Sequence, residues 1–502
     1  MIIPRSILAF GVLVVVPSMA ALQPYPVVGV SSGINSRTGE MPVRRNINDI
    51  YKESGLQWDL YVEALTAMQD ANETDAASYF QIAGIHGQPY MAWPGGGPQS
   101  GAEAGYCPHN HCSERGTADI CRYTRSVRRC TKPATDVGKQ SLILSQQALV
   151  GQAKRIANSY PEPSRWQYVE AVDSLRIAYW DWGADSDVPP VTAMPTVVIN
   201  KPVGGVVQPV SVRNPFFSYN YPRSALDGAF GRFDGRNHTK RCVEEDQNYP
   251  GTANEYLAEY SLKEKVNATM RFSYASDEMF ATPKGAIVTP QSAIWPFEGS
   301  GGAPLTSESV THVQDWGYTY APMRFWEQAP GETKMAVSRT VNDLYGPQTQ
   351  QEAETFSPRG VNRRTDAPRR EYFAKIEVER AELELPCQVR LFLKGGLAGS
   401  FTLLDMPRQG RSYDEVPLSR GVQAADVSRL STDGALGLIE DGLEVVINKL
   451  DGTTIPLGQV PSLTIEVEGV DVVPPASLDE LPTLGASRSR LAMARPFAGG
   501  KQ

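Results

Sequence analysis

Histidine is scarce in this chain, with five in 502 residues. That ceiling excludes any site built from more than five imidazoles. Paired C-x-x-C spacing is missing too, so a structural zinc held by thiolate pairs is not expected. The six cysteines are unevenly placed. Cys107, Cys112, Cys121 and Cys130 crowd one short stretch while Cys242 and Cys387 stand alone, which argues against a disulfide framework. Excess positive charge is absent: at a net charge of −8 the chain offers nothing to neutralise phosphates, which excludes a nucleic-acid partner. Beyond the first twenty residues no apolar run approaches membrane-spanning length.

What is present begins with an export signal. Arg5 supplies the positive start, Ile7–Val16 the apolar run, and Ser18-Met19-Ala20 the small residues for cleavage, so residues 1–20 are expected to be a signal peptide. The predicted location is secreted, with no membrane association after cleavage. Three acceptor sequons, Asn72-Glu73-Thr74, Asn237-His238-Thr239 and Asn267-Ala268-Thr269, fit a secreted glycoprotein. The length calls for two domains with connecting segments.

Between Asp49 and Gln69, Leu56, Leu60, Ala64 and Met68 recur at helical spacing, with Trp58, Tyr61 and Leu65 widening the stripe into a core-facing helix. Lys139–Ser159 and Tyr168–Ile177 also read as helices, and Glu255–Thr269 as a surface helix. Pro189 to Pro222 reads as loops with short strands. Residues 346–370 are polar and arginine-rich, an exposed linker open to proteases. Period-two alternation follows at Lys375–Glu379, Val389–Leu393, Phe401–Leu404, Leu443–Ile447 and Leu463–Val467, with Asp451-Gly452 as a turn signal. The expected layout is a domain over 21–345, the linker, a β-rich domain over 371–475 and a disordered tail over 476–502.

Two strings carry chemistry. Ile85-His86-Gly87-Gln88-Pro89-Tyr90 places a histidine where a helix gives way to a loop. Alone, such a histidine is more often a core residue than a ligand. Gly105-Tyr106-Cys107-Pro108-His109 then follows a glycine-rich loop. Together these strings resemble the first copper motif of fungal tyrosinases. Tyr179-Trp180-Asp181-Trp182, Asn214-Pro215 with Tyr219, and Gly317-Tyr318-Thr319-Tyr320 are similar to three further elements of that family, and the strands from Tyr372 to Val473 resemble its C-terminal domain.

The resemblance implies a mainly α domain built on a four-helix bundle, plus a C-terminal β-sandwich-like domain, in a multidomain α+β chain. It implies two copper ions, each on three imidazoles, that bind dioxygen, hydroxylate phenols and oxidise o-diphenols to quinones in melanin formation. His86 and His109 match the first two ligands of the first copper. Cys107 matches the cysteine that bridges to the second ligand as a thioether in many members; its other reading is a free buried thiol.

The pattern then breaks. His109 runs into Asn110-His111-Cys112 and a Cys- and Arg-rich stretch without periodicity, where the family carries a Trp-His-Arg helix. Met279-Phe280-Ala281-Thr282 runs almost directly into Ala286-Ile287-Val288, so the second copper's histidine block is missing between family-like flanks. His238 and His312 lie in polar loop text, and His312 reads as a surface residue. Six imidazoles are needed and five exist. No residue is therefore assigned a catalytic role, and at most a partial metal site is expected. Two clean lesions point to coding text exchanged at one junction and dropped at another. The competing readings are a copper-free secreted scaffold and a mononuclear site on His86, His109 and His111. Loss of the family helices predicts a partly uncovered apolar face at Leu56–Met68, and with it poor folding. Transcript sequencing across Asn110–Gln146 and Ala281–Ile287 is expected to recover the histidine-bearing helices; a transcript identical to this chain overturns that.

Overall fold

The computed structural model describes residues 25–85, 93, 133–228, 237–239, 248–259, 291–345, 369–403, 409–418, 421–422, 430–449, 452–473 and 477–497. The first helical stripe resolves into two helices. α1 (Ile47–Glu53) is capped by the Asn46 side chain and stops at Ser54, whose φ of 48° is left-handed. α2 (Leu56–Asp70) restarts after Gly55. Its apolar face is covered, contrary to expectation: Trp58, Leu60, Val62, Ala64 and Met68 are all buried. The cover comes from α4 and α5 and from the first β-hairpin.

Those partners are α3 (Tyr79–Gly84), α4 (Pro133–Ser159) and α5 (Arg165–Asp173). Leu60 of α2, Ile143 and Leu149 of α4, Tyr168 of α5, Phe297 and Tyr318 belong to one continuous core. Truncating a residue such as Leu60 to alanine in such a core costs about 2–5 kcal/mol. α5 ends at Asp173, short of Ile177, because the chain turns extended to pair Tyr179 with Arg45.

Three glutamines let α4 hold loops as well as core. Gln140 donates to the Thr306 carbonyl at 3.2 Å and Gln146 accepts from the Ile177 amide at 3.3 Å. Gln147 accepts from the Val28 amide at 2.8 Å and donates to the Pro26 carbonyl at 3.0 Å. The Pro26, Ile177 and Thr306 backbone groups they reach are part-buried and gain partners this way.

The 189–222 region is more regular than its composition suggested. β1 (Thr196–Val203) and β2 (Val206–Arg213) form an eight-pair antiparallel hairpin. Its turn is Gly204-Gly205, with φ of 60° and 85°, the positive pair that a two-residue hairpin turn requires and glycine adopts without strain. α6 (Gly251–Glu259) covers the start of the expected surface helix; residues 260–269 lie outside the described residues. A short hairpin, β3 (Ala293–Glu298) and β4 (Pro304–Thr306), and α7 (Pro330–Tyr345) complete this part.

Strand structure starts at β5 (Arg369–Glu379), so the end of the expected linker is already sheet; residues 346–368 lie outside the described residues. β6 (Cys387–Leu393), β7 (Gly396–Leu403), β8 (Arg411–Pro417), β9 (Leu443–Lys449), β10 (Thr454–Ile455), β11 (Thr464–Val473), β12 (Thr483–Ala492) and β13 (Arg495–Pro496) follow. They make two sheets, ordered β10-β9-β6-β7 with β13 beside β9, and β12-β11-β5-β8. The inward residues of both, among them Ile376, Val378, Val389, Leu391, Ile447 and Val467, share one core, as a sandwich requires. α8 (Thr432–Gly442), capped by Ser431, adds Leu436 and Ile439 to it. Gly452 lies between β9 and β10 where a turn was expected; Asp451 lies outside the described residues. Cys387 is buried within this core and in no disulfide, and the other five cysteines lie outside the described residues.

One expectation is overturned. Residues 483–492 form a ten-residue strand rather than a disordered tail. The sequence hid it because the strand is exposed along nearly its whole length and buries no apolar face. Backbone pairing to β11 defines it, while Arg488 and Arg490 reach Asp433 of α8. The neighbouring 477–480 segment docks on α7: Asn342 donates to the Leu478 and Glu480 carbonyls at 2.8 and 2.9 Å, and Arg339 pairs with Asp479.

The second sheet carries one buried acid with a displaced pKa. Glu415 on β8 stands across from Lys375 on β5, which pairs with Glu468 of β11 at 2.9 Å. One Glu415 carboxyl oxygen is buried without a hydrogen-bond partner. Burial pushes the Glu415 carboxyl up to about 7; Lys375 opposes this, and Glu468 and Asp414 add to it. A group whose pKa rises on folding stabilises below its unfolded value of 4.5 and loses that contribution as pH climbs through about 7. At about 1.4 kcal/mol per unit, denaturation of the full chain should lose up to about 3 kcal/mol over that window. Glu415→Gln is expected to flatten the dependence; an unchanged slope contradicts the assignment.

Candidate functional site

The residues matched to copper ligands, His86 and His109, lie outside the described residues, as do Cys107 and His111. What is described is their mounting. Ser78 caps α3 by accepting from the Gln81 amide at 3.1 Å, and Phe80 and Ile82 are buried. Ile85 and Trp93, on either side of His86 in sequence, belong to the same core as α2 and α4. Trp93 meets Tyr25 edge-on at 6.3 Å.

Among the described residues, no group of three or more His, Cys, Asp or Glu is arranged to hold a metal. His312 is exposed, ahead of a short 3-10 turn, which agrees with its reading as a surface residue. His238 lies in a bridge with Asn220, its Nδ1 2.6 Å from the Asn237 carboxamide oxygen. These two histidines therefore do not share a ligand cluster. The family's six-imidazole set does not fit a chain of five histidines, two of them placed this way.

Two of the remaining motifs converge on a buried cation, Arg44, which is 7% exposed. Its Nε donates to the Ile177 carbonyl at 3.0 Å, Nη2 to the Ala178 carbonyl at 3.3 Å, and Nη1 to Tyr320 Oη at 2.6 Å. The guanidinium also lies 5.4–5.9 Å from the ring centres of Tyr179, Tyr318 and Tyr320, within cation–π range. Backbone bonds repeat the connection. The Arg44 amide donates to Thr319, the Thr319 amide to Pro42, and the Ile47 amide to Tyr179. The Tyr-Trp-Asp-Trp and Tyr-x-Tyr strings, about 140 residues apart in the chain, thus flank one extended segment around Arg44. Nothing in the text Pro42-Val43-Arg44 marked this residue.

Arg176 does a similar job beside it. It donates to the carbonyls of Gly317 (2.7 Å), Ser32 (2.7 Å), Leu175 (2.7 Å) and Asp173 (3.1 Å), and burial lowers its pKa to about 10. Gly317 is required there: its φ is 75°, and an added Cβ would sit 1.7 Å from the Val30 carbonyl oxygen. Both carboxylate oxygens of Asp181 in the Tyr-Trp-Asp-Trp string lie within reach of the Tyr345 hydroxyl, at 2.9 and 3.0 Å, which ties the string to the end of α7.

Asn214 is a fastener rather than a ligand. Its Nδ2 donates to the Val191 and Met194 carbonyls at 2.6 and 2.7 Å, and its Oδ1 accepts from the Phe216 amide. A second network centres on Asp59 of α2, which accepts from the Asn200 amide (2.8 Å), Asn200 Nδ2 (3.2 Å) and Tyr168 Oη (2.9 Å). Burial raises the Asp59 pKa, and these hydrogen bonds act against the rise. Tyr160 stacks on Tyr168 at 3.7 Å and donates to Glu63 and the Asn200 carbonyl. Replacing Arg44 with methionine keeps the apolar stem and removes the fork. The expected loss is about 3–5 kcal/mol in chemical denaturation, with Arg44→Lys recovering less than half because one ammonium lacks the planar geometry.

Compared with family models, the chain matches none. It is 34% identical over 152 residues to a tyrosinase of Podospora anserina, covering 29% of this chain and 23% of that protein. To polyphenol oxidase 4 of Agaricus bisporus it is 30% identical over 244 residues, 47% of this chain and 36% of the relative. The matched part thus spans well under half the length of either relative. In fold the likeness is broader. A recombinant mushroom tyrosinase superposes with a TM-score of 0.68 at 17% identity, over 95% of this chain and 100% of that one. The apo-protyrosinase of Aspergillus oryzae gives 0.62 at 16% identity, over 95% and 99%. The chain is therefore similar to fungal tyrosinases in sequence over part of its length and in fold over nearly all of it.

Proposed function

We propose that this chain derives from a secreted copper oxidoreductase that hydroxylates phenols and oxidises o-diphenols to quinones with dioxygen, serving melanin formation. We further propose that the chain as written holds at most part of the copper site. The observation that supports the first statement is the sequence identity to a fungal tyrosinase and a fungal polyphenol oxidase, 34% over 152 residues and 30% over 244, together with the shared fold. The second rests on counting: six imidazoles are required, five exist, and only His86 and His109 fall in the family's ligand-bearing text.

Copper, when bound in such a site, supplies dioxygen binding and two-electron oxidation of the phenol. No step is assigned to residues of this chain, because the ligand set does not fit. The apolar leader and the sequons support a secreted glycoprotein. In this reading the sandwich lies over the mouth of the bundle, and cutting within residues 346–370 releases it. Contacts between α7 and the 477–480 segment agree with a sandwich docked on the helical domain.

The reading is tested by expressing the chain with copper, measuring bound metal, and following dioxygen uptake with a catechol. Less than two coppers per chain and no turnover are expected. His86→Ala should lower whatever copper is bound. Robust catechol oxidation overturns the incomplete-site reading, and a copper-free protein unaffected by His86→Ala overturns the partial site.

A further inference from the structure

We infer that Asn72 is the site at which this chain carries an N-linked glycan. The inference rests on the export proposed above and goes beyond it by choosing among the sequons.

Asn72-Glu73-Thr74 occupies the turn between α2 and α3. Asn72 and Thr74 are both exposed, and the Asp75 amide closes the turn on the Asn72 carbonyl at 2.9 Å. The Asn72 carboxamide oxygen accepts from the Thr74 amide at 2.9 Å and from the Thr74 hydroxyl at 2.6 Å. The hydroxyl that the sequon demands therefore touches the amide to be modified, and Asn72 Nδ2 is left facing water. Glu73, between them, faces the other way. Its carboxylate accepts from the Ser224 hydroxyl and its carbonyl from Gln81 Nε2. The protein thus grips the middle residue of the sequon and presents the outer two.

Asn237-His238-Thr239 is arranged differently. The Thr239 hydroxyl accepts from the Tyr219 amide at 2.9 Å, and the Thr239 amide donates back to Tyr219 at 2.8 Å. The Asn237 carboxamide oxygen is engaged by His238. Its threonine faces the backbone rather than the asparagine. Asn267 lies outside the described residues.

The chemistry is a group transfer without change of oxidation state. Asn72 Nδ2 attacks the anomeric carbon of a lipid-diphosphate-linked oligosaccharide. A C–N bond forms, the C–O bond to the diphosphate breaks, the lipid diphosphate leaves with the electron pair, and one amide proton passes to a base of the transferase. Both donor and transferase belong to the export compartment. The glycan has room in the folded protein, because Asn72 is exposed and its hydrogen bonds to Thr74 run through the carboxamide oxygen rather than the reacting nitrogen.

The experiment translates the full chain with microsomal membranes, once with its own leader and once with a known cleavable leader. Asn72→Asp keeps the oxygen that accepts from Thr74 but removes the reacting nitrogen, so the turn is retained. Chains protected from added protease are expected to shift by one oligosaccharide that endoglycosidase H removes. Asn72→Asp and Thr74→Ala should each abolish that shift, while Asn237→Gln leaves it in place. Thermal unfolding of Asn72→Asp should match that of the unmodified parent. Protease-protected chains unmodified at Asn72, or modified at Asn237 instead, overturn the inference. Translocation and Asn72 modification with the known leader alone would overturn the secretion reading while supporting the site.

Discussion

A guanidinium taken out of water needs hydrogen-bond partners, and Arg44 finds three of them in segments far apart in the chain. Its fork spans the Ile177 and Ala178 carbonyls and the Tyr320 hydroxyl, while three tyrosine rings surround the charge. Removing any of these segments would strand a buried cation. The helical domain is therefore closed on itself by one residue near its start, which joins the strand leading out of α5 to the turn before α7. Arg176 repeats the device a few ångströms along, with carbonyls alone as its partners.

Around that closure the helices are held by buried polar groups as much as by apolar packing. Asp59 and the stacked Tyr160–Tyr168 pair join α2, α4, α5 and β1, and the α4 glutamines fix the loops that run over them. Such networks specify one arrangement, because a slipped helix would leave donors and acceptors unpaired in a medium that does not replace water. This accounts for a covered α2 in a chain whose sequence suggested exposed helix faces. The described partners of α2 are α3, α4, α5 and the β1–β2 hairpin, and they bury its stripe without any metal-binding side chain.

The architecture follows that of fungal tyrosinases over 95% of the chain. Motifs that the sequence presents as family signatures, Tyr179–Trp182, Asn214-Pro215 and Tyr318–Tyr320, prove to be fasteners. They complete hydrogen bonds and rings around Arg44, Asp181 and the base of the hairpin. Their persistence says that the scaffold is kept; it is silent on the copper. A family resemblance carried by such residues is thus firmer for fold than for activity.

The sequence by itself determined the helical first half and the alternating strands of the sandwich. Those are local properties, since period, spacing and composition need no distant partner to be read. Tertiary structure alone decided the rest. Arg44 and Arg176 are ordinary arginines until carbonyls from distant segments converge on them. Residues 483–492 are polar text until β11 offers a row of backbone groups to pair with. The hairpin at 196–213 looked like short strands among loops because only one end of it is buried. Glu73 is held in place because Ser224 and Gln81 reach it. In each case the deciding partner lies far away in sequence, and burial makes an unmade polar contact too costly for the chain to settle elsewhere.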